Sequence, residues 1–124
     1  MKLRPLSEMT AYLSSLIKLG TIGKGDNKRI DYSQLSIRMS TSPHSVLHKE
    51  SENFDHNFME GFVQSLMWLT EKNKEAWEVL EAYRSVDHDI PKIKDKTSPK
   101  LKKLLGERNA YAYALCWAVR PKQT

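Results

Sequence analysis

At 124 residues the chain fits one domain and can bury a core without metal or disulfide staples. Its single cysteine, Cys116, excludes an internal disulfide and a multi-cysteine zinc site. No run of about 18 apolar residues can span a bilayer and no opening apolar run resembles a signal peptide, so a cytosolic location is expected. The net charge of +5 is unevenly spread: residues 1–49 carry eight Lys/Arg against three acids, residues 50–83 two against eight, and residues 84–124 ten against four. Two basic ends around an acidic middle point to polyanion contact at the ends, with the middle facing solvent or a cationic protein.

In chain order, Met9, Tyr12, Leu13, Leu16 and Ile17 recur at helical spacing after Ser7, which can cap the helix, and Gly20 can end it. The stretch GTIGKGDNKR, residues 20–29, reads as a flexible loop rather than a phosphate-binding P-loop, because the Gly-x4-Gly-Lys-Ser/Thr spacing is absent. Its Lys24, Lys28 and Arg29 offer a secondary nucleic-acid contact. Asp31 can cap a short helix carrying Tyr32, Leu35 and Met39, and Pro43 ends it or starts another turn.

Asp55 then stands as an N-cap before Phe58, Met59, Phe62, Val63, Leu66 and Met67, the most regular apolar face in the chain and the expected centre of the core. Gly61 within it costs about 1 kcal/mol against alanine and suits a close helix crossing. After a break at Lys72–Asn73, KEAWEVLEAYR places Ala76, Val79, Leu80 and Tyr83 on one side of a helix and Glu75, Glu78 and Glu81 on another. No alternating strand pattern occurs, so the expected fold class is all-α: a single helical domain, 1–124, of four to six helices.

Residues 89–115 read DIPKIKDKTSPKLKKLLGERNAYAYAL. Ile90 and Ile93 are expected on one side of a short helix, Thr97 and Ser98 at a break with Ser98 as cap, and Pro99 at the first position of a second helix. Leu101, Leu104 and Leu105 face inward at helical spacing, while Lys100, Lys102, Lys103 and Arg108 face out. This predicts a helix-turn-helix-like unit over 88–119 with a basic second helix, its DNA-contacting residues being Lys96, Ser98, Lys100, Lys102, Lys103 and Arg108. A helical hairpin with a solvated cationic coat explains the same residues.

YSQLS (32–36), FDHNFMEGFVQSL (54–66), WEVLEAYR (77–84) and IPKIKDKTSPKLKKLL (90–105) together resemble the short form of the lambdoid phage late-gene antitermination protein Q family. The resemblance covers most of the chain, with Ile90, Ile93, Leu101 and Leu105 at the apolar positions of a motif similar to the helix-turn-helix of sigma-factor region 4. Pro91 and Arg108 depart from that motif, and the zinc-binding cysteines of the longer members are absent. The resemblance implies a transcription antitermination factor of the bacterial cytoplasm that binds double-stranded DNA near a late promoter and loads onto RNA polymerase. Glu71, Glu75, Glu78 and Glu81 are then the residues for the polymerase contact. The alternative is a small phage-encoded interaction module or inhibitor of a host nucleic-acid enzyme, without DNA binding.

Enzymatic chemistry finds little support. His44 and His48 have helical spacing, with Glu52 and His56 further along, but a catalytic zinc site wants three placed ligands. No serine or cysteine has a partner that would make it a nucleophile, and Cys116 reads as a small buried residue beside Trp117. No enzyme activity, metal or cofactor is expected.

Overall fold

A computed structural model describes residues 6–19, 21–31, 56–71 and 74–119. Four α-helices carry the described fold: α1 (Ser7–Leu19), α2 (His56–Glu71), α3 (Ala76–Asp89) and α4 (Pro99–Val119). The fold class is all-α. The only sheet among the described residues is a two-stranded antiparallel one of β1 (Thr21–Ile22) and β2 (Arg29–Ile30), paired Thr21 to Ile30 and Ile22 to Arg29.

Helix α2 is apolar around most of its circumference. Phe58, Met59, Phe62, Val63, Leu66 and Leu69 are all buried, so it packs on α1 along one side and α4 along another. Met67, which the periodicity placed on the same face, instead stays 44% exposed. From α1, Met9 and Leu13 enter the core completely, joined by Leu6. Leu6 also sets the helix start: the Thr10 N–H donates to its carbonyl at 2.9 Å, and Ser7 lies inside the helix instead of capping it. Beginning one residue earlier lets a leucine reach the core, which outweighs a solvent-facing serine cap. The expected caps at Gly20 and Asp55, the helix around Tyr32, Leu35 and Met39, and Pro43 lie outside the described residues.

Within the loop expected over residues 20–29, the described residues form a small hairpin that runs from Thr21 to Ile30. Gly23 (φ 92°) and Gly25 (φ 61°) take left-handed backbone that other residues resist, which lets the chain reverse over so few positions. The Thr21 hydroxyl donates to the Ile17 carbonyl at 2.8 Å, and Ile30 packs against the core, so the hairpin is tied to the end of α1.

Helix α3 starts at Glu75, whose N–H donates to the Glu78 carboxylate at 2.8 Å, satisfying a donor that the helix leaves open. Val79 and Val86, two turns apart, face the core; Leu80, expected beside Val79, is 37% exposed. The helix ends because Pro91 has no N–H to continue the ladder. The Ile90 N–H still reaches the Val86 carbonyl, and a single 3-10 turn, Ile90–Lys92, follows. The short helix expected to carry Ile90 and Ile93 is therefore absent. Those residues form the end of α3 and an extended link, and the first arm of the hairpin is the 14-residue α3 itself.

Helix α4 begins at Pro99, as its missing N–H favours, and runs for 21 residues. Gly106, Ala110, Ala114 and Ala118 recur every fourth position and are all buried, making a ridge of small side chains along which neighbouring backbone can approach. The approach is closest against α2, where the notch is reciprocal. A Cβ on Gly61 would collide with the carbonyl oxygen of Lys103, and one on Gly106 with that of Phe58. Further along, Trp68 of α2 meets Tyr111 of α4 edge-on, ring centroids 5.8 Å apart, with the Lys74 ammonium 4.3 Å over the Trp68 ring. Cys116, next to buried Trp117 in the chain, is exposed, not buried.

Candidate nucleic-acid interface

The turn between α3 and α4 is built locally. Asp95 accepts from both the Thr97 N–H (2.9 Å) and the Thr97 hydroxyl (2.6 Å), and the Ser98 N–H donates to the Asp95 carbonyl at 3.1 Å. These two hydrogen bonds hold the Asp95 carboxyl below its ordinary range. The Lys102 N–H then donates to the Ser98 carbonyl at 3.1 Å, starting α4. Ile93 and Ser98 are half-buried and Leu101 is buried, so the turn is pinned from beneath while its charged side chains stand outside.

Around this turn Lys92, Lys94, Lys96 and Lys100 are all exposed. Lys92 lies 3.7 Å from the Asp89 carboxylate in a pair open to water; Lys94, Lys96 and Lys100 make no ion pair among the described residues. Four ammonium groups within nine residues, opposed locally by Asp95 and Asp89, form a cationic corner at the positive end of a long helix.

The structure divides the expected DNA-contacting residues. Lys96 and Lys100 stand free at the corner, and half-buried Ser98 lies in the turn between them. Lys102 is half-buried on the first turns of α4. Lys103 sits over α2 with its ammonium 3.7 Å from Glu60, and Arg108 reaches back to α3, donating to Asp87 at 3.2 Å. Both are therefore partly neutralised within the molecule. Below them Glu107 is half-buried, and burial raises its carboxyl above the ordinary range against the attraction of Lys103. The same burial, with Glu107 adding to it, raises the Tyr111 phenol.

The other expected contacts lie elsewhere on the described surface. Lys24, Lys28 and Arg29 are exposed on the hairpin after α1. Glu71 is exposed at the end of α2, and Glu75 and Glu81 are exposed on α3, whereas Glu78 is half-buried and lies 3.9 Å from Lys74. His44, His48 and Glu52 lie outside the described residues, and His56 is 3.5 Å from Glu60. Among the described residues no three His, Cys, Asp or Glu side chains converge as metal ligands, and no helix is long and apolar enough to cross a membrane.

Lys92 and Lys94 were not singled out from the sequence, where the segment was expected to be a short helix carrying Ile90 and Ile93. Only Ile93 to Asp95 separate the 3-10 turn that holds Lys92 from the turn that holds Lys96. No family model, no curated protein and no solved structure matches the chain.

Proposed function

We propose that this chain is a DNA-binding transcription regulator of the antiterminator type, acting in the cytoplasm of a bacterial host. On this reading it grips duplex phosphate through the corner from Lys92 to Lys100 and meets RNA polymerase through its acidic helices. The observation that carries the DNA contact is the exposure of Lys92, Lys94, Lys96 and Lys100 around a turn pinned by Leu101. Leu101 and Gly106 are buried against the bundle, so α4 meets DNA end-on through its first turn. Lys96, Ser98, Lys100 and Lys102 face the duplex, with Lys100 nearest a base edge, as the first residues of recognition helices commonly are. Lys103 and Arg108 contribute field rather than direct contacts. The antiterminator role rests on the resemblance to the phage Q family, and with it the polymerase contact of Glu71, Glu75, Glu78 and Glu81.

The test is binding to a duplex spanning a phage late promoter, followed by anisotropy across a salt series. Four phosphate contacts give a log–log slope of about −3.6, so affinity falls roughly 150-fold between 50 and 200 mM salt. Lys96→Ala with Lys100→Ala reduces the slope by about 1.8. Duplex binding that is absent, or that keeps its full slope in the double variant, defeats the proposal. Purified polymerase should also read through a downstream terminator when the wild-type chain is loaded at that promoter.

A second reading, a protein-interaction module without DNA binding, draws on the internal pairing of Lys103 with Glu60 and Arg108 with Asp87. It predicts a flat response to both lysine substitutions.

A further inference from the structure

Trp77 is 58% exposed, more than any other large apolar residue described, and Leu80, one turn on, is 37% exposed. At about 100° per residue Trp77 lies roughly 200° around α3 from fully buried Val79, so it points away from the core. A tryptophan left in water usually spends its N–H on solvent. Here the indole N–H donates to the Glu75 carboxylate at 2.7 Å, and Glu75 is itself fixed by the helix start, where its N–H is held by Glu78. Covering the ring therefore strips no hydrogen bond from the indole, and the ring is already held in one orientation. Tryptophan is among the residues most enriched at the energetic centres of protein interfaces.

The surroundings choose the occupant. Of the carboxylates from residue 75 to residue 89, Glu78, Asp87 and Asp89 are paired with Lys74, Arg108 and Lys92, which leaves Glu75 and Glu81 against Arg84. Glu75 and Glu81 are exposed on either side of Trp77. This rim repels a nucleic-acid strand that would stack on the indole and an anionic bilayer that would take it up, and it attracts ammonium and guanidinium groups.

We propose that Trp77 and Leu80, rimmed by Glu75 and Glu81, form a docking face for a basic amphipathic segment of a partner protein: apolar anchors cover the indole and Leu80 while flanking Lys or Arg side chains meet the carboxylates. This face lies on α3 away from the cationic corner and rests on the proposed polymerase contact in sharing Glu75 and Glu81 with it, while it stands or falls independently of DNA binding.

The test uses the full chain and three probes: an 18-residue helical peptide with a leucine stripe flanked by Lys and Arg, the same peptide with Glu in place of those cations, and a single-stranded DNA oligonucleotide. In a 15N-labelled sample the basic peptide shifts the Trp77 indole N–H signal and leaves that of buried Trp117 in place. Trp77→Ala weakens the peptide about tenfold or more, as anchors do, whereas Trp77→Phe, which keeps a ring, retains most of the affinity. Glu81→Lys weakens it several-fold at low salt, and the effect shrinks as salt is added. Unchanged melting of each variant establishes that the fold is intact. The proposal is overturned if the basic peptide leaves the Trp77 signal unmoved, if the acidic peptide binds equally, if the oligonucleotide is what moves it, or if Trp77 is covered by a second copy of this chain on concentration.

Discussion

Replacing Gly106 with alanine drives a methyl group into the carbonyl oxygen of Phe58, with the Phe62 nitrogen also only 2.9 Å away. Those neighbours are backbone, so no rotamer change relieves the contact and α4 must move off α2. Overpacking of this kind costs about 1–3 kcal/mol, and an unyielding backbone belongs at the upper end. Alanine returns about 1 kcal/mol of helix propensity, which leaves a net loss of about 2 kcal/mol. For a chain of this size that lowers the melting temperature by roughly 8 °C. Gly61→Ala has the same consequence, because its Cβ meets the Lys103 carbonyl one turn away. The two changes share one remedy. Once the helices have separated for the first methyl, the second finds room and still adds propensity, so the double variant loses no more than either single one, about 1–2 kcal/mol. Thermal and urea unfolding of the three variants measures this. A melting temperature raised by either alanine, or a double-variant loss equal to the sum of the singles, refutes the reciprocal crossing.

Glu107→Gln should raise stability at neutral pH. Its carboxyl titrates above the ordinary range in the folded chain, so the ionised form is the one that folding disfavours. That penalty is present above the folded pKa and is relieved as pH falls through it toward the unfolded value of about 4.3, so the advantage of glutamine should fade over the same interval in urea unfolding at stepped pH. A gain that persists at pH 3, or is missing at pH 7, contradicts the assignment. Thr97→Val removes the hydroxyl that donates to Asp95 at 2.6 Å and should move the Asp95 carboxyl up toward its ordinary range, read from its side-chain carbon signal during an NMR titration. Because the wild-type group is held low, what the bond contributes is present above the unfolded pKa and is lost as pH falls through the folded one. A titration unaltered by the substitution shows the hydroxyl to be idle.

The helix faces were legible because burial on one side imposes a period. Met9 and Leu13 in α1, and Phe58, Met59, Phe62, Val63 and Leu66 in α2, could be read from spacing alone, as could the start of α4 at Pro99. Helix α4 beyond its first turns was not. It is covered on several sides, so Tyr111, Tyr113, Ala114 and Trp117 enter the core from different directions and the period blurs; Cys116, in the midst of apolar residues, was assigned inward and lies outside. The ridge of Gly106, Ala110, Ala114 and Ala118 was written in the sequence at four-residue spacing, yet small residues carry little hydropathy and gave no signal on that scale. At the candidate interface, Lys100 was legible as an outward lysine next to Pro99. The pairing of Lys103 with Glu60 and of Arg108 with Asp87 was not, since each joins residues distant in sequence that only the packed helices bring within reach.

Helix α3 is also a ruler. Its indole stands near one end, and the 3-10 turn that leads to the lysines follows the other, some 12 residues on, which at the rise of an α-helix is about 18 Å. Val79 and Val86 clamp the rod to the bundle between those marks, so the span neither stretches nor swings. Two macromolecules held at its opposite extremities would be kept at a set spacing and bearing, each with room to arrive while the other is already seated.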